Sequence, residues 1–100
     1  MVPHHEQIER TRDALESVDH AVPRDLVRDV AYYLREVRDP ELAIDVLVDG
    51  LIELRVLMNR DEYETVFAAM DACGRGRDRR LQWLEDHGLK PLPTASDDED

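Results

Sequence analysis

The sequence predicts an all-α protein, a small bundle of four to five helices. Apolar residues recur at intervals of three and four from Ile8 to Leu89, and no alternating, strand-like run of useful length interrupts them. Prolines and capping residues stand where helices would begin. One hundred residues suit a single domain, which we place at 1–93, followed by a disordered acidic tail at 94–100.

The first two helices differ in the width of their apolar faces. A helix from about His5 to Asp19 has a thin stripe, which predicts packing at the periphery. Pro23 suits the start of a second helix because its fixed φ is already helical, and Asp25 then lies at the positive end of the helix dipole. This helix is predicted to end near Arg38, with one inner face made of Leu26, Val30, Tyr33, Leu34 and Val37.

Asp39 and Pro40 repeat this arrangement at the start of a third helix, which is predicted to end between residues 54 and 58. Aspartate caps free amides, and proline at the first helical position loses no hydrogen bond. Apolar side chains dominate the helix, so it is predicted to be the most buried one. Its inner face comprises Ala43, Ile44, Leu47, Leu51 and Leu54, extended by Val46 and Gly50.

Asn59 with Glu62 three residues later resembles a capping box, which predicts the start of a fourth helix. This helix is predicted to end at Cys73-Gly74, since glycine readily adopts the left-handed conformation after a helix. A flexible joint then leads to a short fifth helix from about Asp78 to His87. The residues predicted to face inward from these two helices are Tyr63, Val66, Phe67, Met70, Leu81 and Leu84.

Four carboxylates of the third helix, Glu41, Asp45, Asp49 and Glu53, recur every fourth residue, and the helix has no basic residue. We call these four residues the acidic stripe. Residues four apart are neighbours on a helix, and each like-charged pair disfavours it by about 0.2–0.5 kcal/mol. The stripe is either an ordinary solvated face or a surface that binds a positive partner. Lysine at Asp45 and Asp49 should relieve the repulsion and leave the helix folded.

Apolar side chains lie between or beside the acids of the stripe, namely Leu42, Val48 and Ile52. Carboxylates interleaved with aliphatic groups suit a protein partner, because the apolar groups supply contact area and the charges supply steering. Val48 and Ile52, with the outward-facing Tyr32, are therefore candidate anchors for a partner. The alternative is that a neighbouring helix covers them.

The charge balance favours a basic protein as the partner. The formal net charge is −11, and Asp97 to Asp100 contribute −4 of it. Such a charge repels nucleic acid and anionic membrane surfaces and attracts basic proteins. The single cysteine, the lack of a signal-like segment and the lack of a membrane-length apolar run predict a cytoplasmic protein. Adaptation to high salt is an alternative source of the acidity.

No pattern predicts an enzyme, a metal site or a cofactor. The four histidines are scattered without metal-ligand spacing, and no phosphate loop or nucleophile motif is present. Cys73, alone at a helix end, is expected to be a small buried hydrophobe. The basic cluster at residues 75–80, near Trp83, is expected to neutralise acidic neighbours or cover a helix joint, with single-stranded nucleic acid binding as the alternative.

The third helix resembles the signature of MafI-type immunity proteins, small cytoplasmic proteins that neutralise a cognate toxin, often a nuclease. The similar residues are the run 41–45 with Leu47, Asp49, Leu51 and Glu53, followed by the run 59–64. A weaker similarity covers 23–37. Asp45 stands where the family more often has glutamate. The resemblance implies function by occlusion, without catalytic residues.

These observations lead to two functional hypotheses. The first is an immunity protein that binds a basic toxin through the acidic stripe, with Val48, Ile52 and Tyr32 as anchors, and blocks the toxin's active site. The second is an intracellular adaptor that docks an amphipathic segment of a partner in a groove between its own helices. Steep salt dependence of association favours the first, since steered complexes lose rate as ionic strength rises.

Overall fold

The computed structural model describes residues 2–91, within which the chain forms five α-helices. The all-α class is thereby confirmed. The predicted tail at 94–100 and the domain boundary at 93 lie outside the described residues. A single 3-10 turn, Asp19–Ala21, joins the first two helices. The helices are α1 (His4–Val18), α2 (Arg24–Arg35), α3 (Pro40–Glu53), α4 (Arg60–Ala72) and α5 (Arg79–His87).

Helix α3 is the centre of the fold and contacts all four other helices. As predicted, it is the most buried helix, and its fully buried apolar side chains are Ala43, Ile44, Leu47, Val48 and Leu51. The prediction for Leu54 was wrong, since this side chain is about half exposed. The helix ends at Glu53, and the chain turns away through Arg55, whose φ is +54°.

The predicted helix starts are confirmed at α3 and α4. The Asp39 carboxylate accepts a hydrogen bond from the Leu42 N–H at 3.0 Å, and Pro40 occupies the first turn. At α4, the Glu62 N–H donates to the Asn59 side chain at 2.8 Å, and the Asn59 N–H donates to the Glu62 carboxylate at 2.9 Å. Each pair satisfies amides that the first helical turn leaves free.

Helix α1 lies closer to the core than the thin apolar stripe predicted. It packs along α4, and Ala14, Leu15 and Val18 belong to the buried core. Small side chains at Thr11 and Ala14 allow the two helices to approach each other. The Thr11 hydroxyl donates to the Gln7 carbonyl at 2.8 Å, so its polar atom is satisfied although the residue is fully buried.

Helix α2 packs on α3, and the two helices approach closely at Gly50. A Cβ atom added at Gly50 would lie 2.5 Å from a methyl carbon of Leu26, closer than real contacts allow. Helix α2 packs along α3, and α1 packs along α4. Helices α1 and α2 therefore contact each other only at a few positions. Val37, predicted on the inner face of α2, lies beyond the helix end and is about half exposed.

Helix α5 closes the bundle against α3 and α4, with Leu81 and Leu84 buried as predicted. The segment after α5 pairs with the α3–α4 connection: the Met58 N–H donates to the Gly88 carbonyl, and the Lys90 N–H donates to the Met58 carbonyl, both at 2.8 Å. Phe67 was predicted to be buried but is partly exposed, because it lies on the outer side of α4.

Candidate functional site

Two arginines of the same chain bind three members of the acidic stripe. Arg75, in the joint before α5, forms ion pairs with Glu41 at 3.1 Å and with Asp45. Arg80, in the first turn of α5, lies 2.7 Å from Asp45 and 2.8 Å from Asp49. The premise that the stripe lacks positive partners was therefore wrong. Its charges are compensated by residues 30 to 35 positions away.

Local structure before α5 explains how Arg80 reaches the stripe. Gly74 has a φ of +80°, which turns the chain back toward α3 after α4 ends. Asp78 then caps α5 by accepting a hydrogen bond from the Arg80 N–H at 2.9 Å. Its carboxylate also accepts from two nitrogens of the Arg80 guanidinium at 2.9 Å each. Asp78 thus holds the guanidinium group in position between Asp45 and Asp49.

The ion pairs form one network whose charges stabilise one another. Its members are Arg75, Arg80, Glu41, Asp45, Asp49 and Asp78. Hydrogen bonds from the Arg80 side chain hold the pKa of Asp78 at about 2, against an ordinary value of 3.8. The bond to Asp78, with those to Asp45 and Asp49, raises the pKa of Arg80 despite partial burial. Burial opposes the charge of Arg75, but Asp45 and Glu41 outweigh this effect and raise the pKa of its guanidinium.

Part of the stripe still faces solvent with negative charge. Four carboxylates of the network share two guanidinium groups, which leaves two surplus negative charges. The Asp49 side chain is 67% exposed and has one ion pair. Glu53 is exposed and forms no ion pair within residues 2–91. These two residues, one turn apart, are the members of the stripe best placed to meet another molecule.

The lysine substitutions at Asp45 and Asp49 now have a different expected effect. Asp45 is three-quarters buried and contacts both Arg75 and Arg80. A lysine there would place a third positive charge against two guanidinium groups, so we expect destabilisation and not relief. On α3 the neighbours of Asp45 in the stripe are like-charged, whereas the two guanidinium groups that contact it belong to α5 and to the joint before α5.

The three candidate apolar anchors differ in how far their side chains are exposed to solvent. Val48 is fully buried in the core, so its assignment as an exposed anchor was wrong. The Val48 side chain points into the core, whereas the side chain of the adjacent Asp49 is exposed. Ile52 is half-buried against the core, whereas Tyr32 is 54% exposed, with its ring edge-on to Tyr33 at 5.5 Å. Leu42, which lies beside the stripe, is an exposed apolar residue of α3 that the sequence did not predict as an anchor.

The basic cluster has the role that the sequence favoured. Arg75 and Arg80 neutralise acidic neighbours, which is one of the two expected roles. Arg77 and Arg79 are exposed and have no ion pair in the described part of the chain. Trp83 packs part of its ring against the core, which was also expected.

The other reactive side chains of residues 2–91 are dispersed. No group of three or more histidine, cysteine or acidic side chains in this range is arranged to hold a metal ion. Burial raises the pKa of the Cys73 thiol, which disfavours the nucleophilic thiolate. At Glu62, burial opposes the charge, but hydrogen bonds from Asn59 and His20 outweigh it and lower the pKa. None of the helices in this range has the length and hydropathy required to span a bilayer.

A groove with a volume of about 410 Å³ lies between α1 and α2. It exists because each of these helices packs mainly on a different partner, α4 or α3. Leu15 and Leu34 form its buried base, and Ile8, Val27 and Ala31 are only partly covered. The groove is apolar along its floor and charged at its rim. Sequence reasoning anticipated a groove between helices but not which helices would form it.

Comparison of the chain with protein-family models, with curated proteins and with solved structures gave no match. The functional assignment therefore depends on the geometry of the described residues and on the charge of the chain.

Acid titration tests the network through Asp78. Because the folded pKa of Asp78 is depressed, its ionisation stabilises the fold above about pH 4, and this contribution is lost as the pH falls toward 2. We expect Asp78→Asn, which can still cap α5, to lower the free energy of unfolding at neutral pH by about 1–2 kcal/mol. Urea titrations at several pH values should show this difference shrinking toward pH 2.

A matched control is Asp29→Asn, on the exposed side of α2, where no ion pair forms within residues 2–91. This variant should change the free energy of unfolding at neutral pH by less than about 0.5 kcal/mol. An Asp78→Asn variant whose stability ran parallel to the wild type down to pH 2 would contradict a stabilising role for the Asp78 carboxylate.

Proposed function

We propose that the protein is an immunity-type inhibitor, which binds a basic protein toxin and occludes its active site. The observation that carries the proposal is the excess of negative charge. Apart from the four terminal acids, 20 acidic residues face 13 basic ones, a net charge of −7. Internal pairing with Arg75 and Arg80 reduces the charge of the stripe but leaves it negative. A surface of this sign attracts a cationic partner and raises its association rate.

The contact surface that we propose differs from the one expected from sequence. Leu42, Asp49 and Glu53 lie within an arc of about 40° on α3, given the angular spacing of helical residues. All three are exposed, and the half-buried Ile52 extends this surface beside Asp49. Tyr32, the exposed candidate anchor, belongs to α2 and not to this surface of α3. Leu42 and Ile52 offer apolar contact area together with carboxylates that are not deeply buried.

Occlusion follows from the chemistry of such a surface. If the toxin is a nuclease, the lysines and arginines that bind its phosphate substrate would instead meet Asp49 and Glu53. Carboxylates on a rigid helix compete for these cations without being substrates. The partly neutralised network beneath them holds α3 and α5 together, so the surface would bind with little reorganisation. No catalytic group of the inhibitor is required.

Charge reversal tests the surface directly. Where the gene beside this one in the native genome encodes a toxin, the full chain is expressed with that toxin, and cell survival and the association rate of the purified pair are measured. We expect Asp49→Lys with Glu53→Lys to slow association by about ten-fold or more and to abolish protection at native expression. The loss of rate should be smaller at high ionic strength, where steering is screened.

The matched control is Glu9→Lys with Asp13→Lys on α1, which have the same four-residue spacing, are exposed and form no ion pair within residues 2–91. Net charge changes equally in both double variants. Because Asp49 also pairs with Arg80, the single variant Glu53→Lys, which breaks no ion pair within residues 2–91, and an unfolding curve of each variant separate loss of the interface from loss of stability. Full protection by the α3 variant would exclude this surface. A neighbouring gene and a co-purifying protein that are not a toxin would exclude the immunity function.

The groove between α1 and α2 favours a second candidate function, an adaptor that holds an amphipathic segment of a partner. Here the apolar floor, and not the acidic surface, provides the binding energy. An adaptor complex should be weakened by substitutions of residues that line the groove and not by lysine at Asp49 and Glu53, whereas an inhibitor complex should respond in the opposite way. The two functions therefore differ in which surface of the purified protein the partner covers.

A further inference from the structure

The rim of the α1–α2 groove has opposite charges in its two halves. Arg35 and Arg38 line one half, Glu16 and Asp19 line the other, and Arg12 lies between them. None of these five side chains forms an ion pair with another residue in the described range 2–91. Five exposed charges around an apolar floor are thus available to a bound molecule.

A contact between the start of α1 and the end of α2 fixes the direction of this charge separation. The His4 ring nitrogen lies 3.1 Å from the Arg38 carbonyl, so the start of α1 is beside the end of α2 and the two helices are antiparallel. Arg38 has a φ of +58°, a conformation uncommon for arginine, and the turn it forms leads directly to α3. The basic half therefore lies toward this turn, and the acidic half lies toward the 3-10 turn after α1.

We propose that this groove binds a short amphipathic helix of a partner protein, with a carboxylate-bearing end at the arginines and a cationic end at Glu16 and Asp19. From Ile8 to Leu15 on α1, and from Val27 to Leu34 on α2, the floor spans seven residues, or about 10 Å of helix. This length matches about two turns of a docked helix, whose apolar residues at i, i+3 or i+4, and i+7 would contact the floor.

Charge complementarity distinguishes this occupant from a lipid or a nucleic acid. A fatty acid could place its carboxylate at the arginines, but its hydrocarbon tail would then end beside two carboxylates, where it has no matching partner. A nucleic acid is negative along its whole length and would be repelled by Glu16 and Asp19. A peptide segment can carry both signs of charge with apolar residues between them. This inference rests on the proposed adaptor function, whose docked segment it specifies, and not on the immunity function, since the groove and the α3 surface share no residue.

Peptide titration tests the proposal with the full chain. The probes are three labelled helical peptides of about fourteen residues with the same leucine spacing, which carry glutamate at one end and lysine at the other, glutamate at both ends, or lysine at both ends. We expect the peptide with opposite charges to bind with a micromolar Kd and about five-fold or more tightly than the other two. Amide chemical shifts should change along α1 and α2 and not at Asp49 or Glu53.

Variants of the rim provide the control. Arg35→Glu with Arg38→Glu should weaken binding of the oppositely charged peptide by about ten-fold. Arg28→Glu, on the outer side of α2 where Arg28 pairs only with Asp25, should leave binding unchanged. Comparison of circular dichroism and unfolding curves shows whether each variant is folded. Equal weakening by all of these substitutions would indicate general electrostatics and overturn the proposal.

Three further results would also overturn it. One is tight binding of oleate with no binding of any peptide, which would assign the groove to a lipid. Another is concentration-dependent self-association that shifts the same α1 and α2 amides, which would assign it to a second copy. The third is peptide binding only after Asp97, Asp98, Glu99 and Asp100 are neutralised in the full chain, which would assign it to the chain's own acidic end.

Discussion

Replacing Arg80 by alanine is expected to lower the free energy of unfolding by about 2–3 kcal/mol, measured by urea denaturation near neutral pH. The guanidinium group is bound to Asp45, Asp49 and Asp78, and its side chain is only 24% exposed. Its removal leaves two largely buried carboxylates, Asp45 and Asp78, with fewer positive neighbours. Fully buried pairs typically cost more when one partner is removed, and the remaining access of solvent here reduces the effect.

The control for this substitution is Arg79→Ala, one residue earlier in the same helix turn. Arg79 is exposed and has no ion pair among residues 2–91, so its loss should change stability by less than about 0.5 kcal/mol. Arg80→Lys should recover only part of the stability, because an ammonium group cannot contact three carboxylates in the geometry of a guanidinium fork. Equal stability of Arg80→Ala and Arg79→Ala would show that the network does not hold α5 on α3.

Leu47→Ala is expected to cost about 3–4 kcal/mol of unfolding free energy, the largest effect of any single substitution discussed for this protein. Leu47 is fully buried on α3, the helix that contacts every other helix. Its truncation removes apolar contacts and leaves a cavity that surrounding helices, anchored by their own packing, cannot close completely. Thermal or urea unfolding followed by circular dichroism gives the value directly.

Leu57→Ala is the matched comparison, since the same atoms are deleted from a side chain that is about half exposed in the α3–α4 connection. We expect a loss of less than about 1 kcal/mol there. If Leu47→Ala and Leu57→Ala destabilised the protein equally, α3 would not be the centre of the core. A variant of Leu47 that cannot be purified as a folded protein can be replaced by Leu47→Val, for which a smaller loss is expected.

The helices were predictable because their signals are local in sequence. The Asp39-Pro40 start of α3 and the Asn59–Glu62 box of α4 act within one helical turn and are present as expected. Burial of a side chain depends on where its helix ends and on which other helices pack against it. Predictions of burial failed at positions where these two features decide exposure. Leu54 and Val37 lie just beyond helix ends, and Val48 is covered by neighbours that periodicity alone does not identify.

The acidic stripe shows the same division at the candidate site. Its four-residue spacing on α3 was evident, and so was the possibility that the basic cluster neutralises acids. The sequence did not connect the two, because Arg75 and Arg80 meet Asp45 only after Gly74 turns the chain and α5 packs on α3. Charge repulsion estimated from one helix omits these two guanidinium groups, which is why the structure leads us to expect destabilisation by lysine at Asp45.

The pairing of Met58 with Gly88 and Lys90 determines how the molecule can be presented in a binding assay. These contacts anchor the chain beside the end of α3, whereas Arg38 lies before its beginning, and a helix of 14 residues separates them by about 20 Å. A biosensor tether attached at Pro91 would therefore lie near the end of α3 that is remote from Arg38. Immobilised in this orientation, the protein would present the basic half of the groove to a soluble ligand.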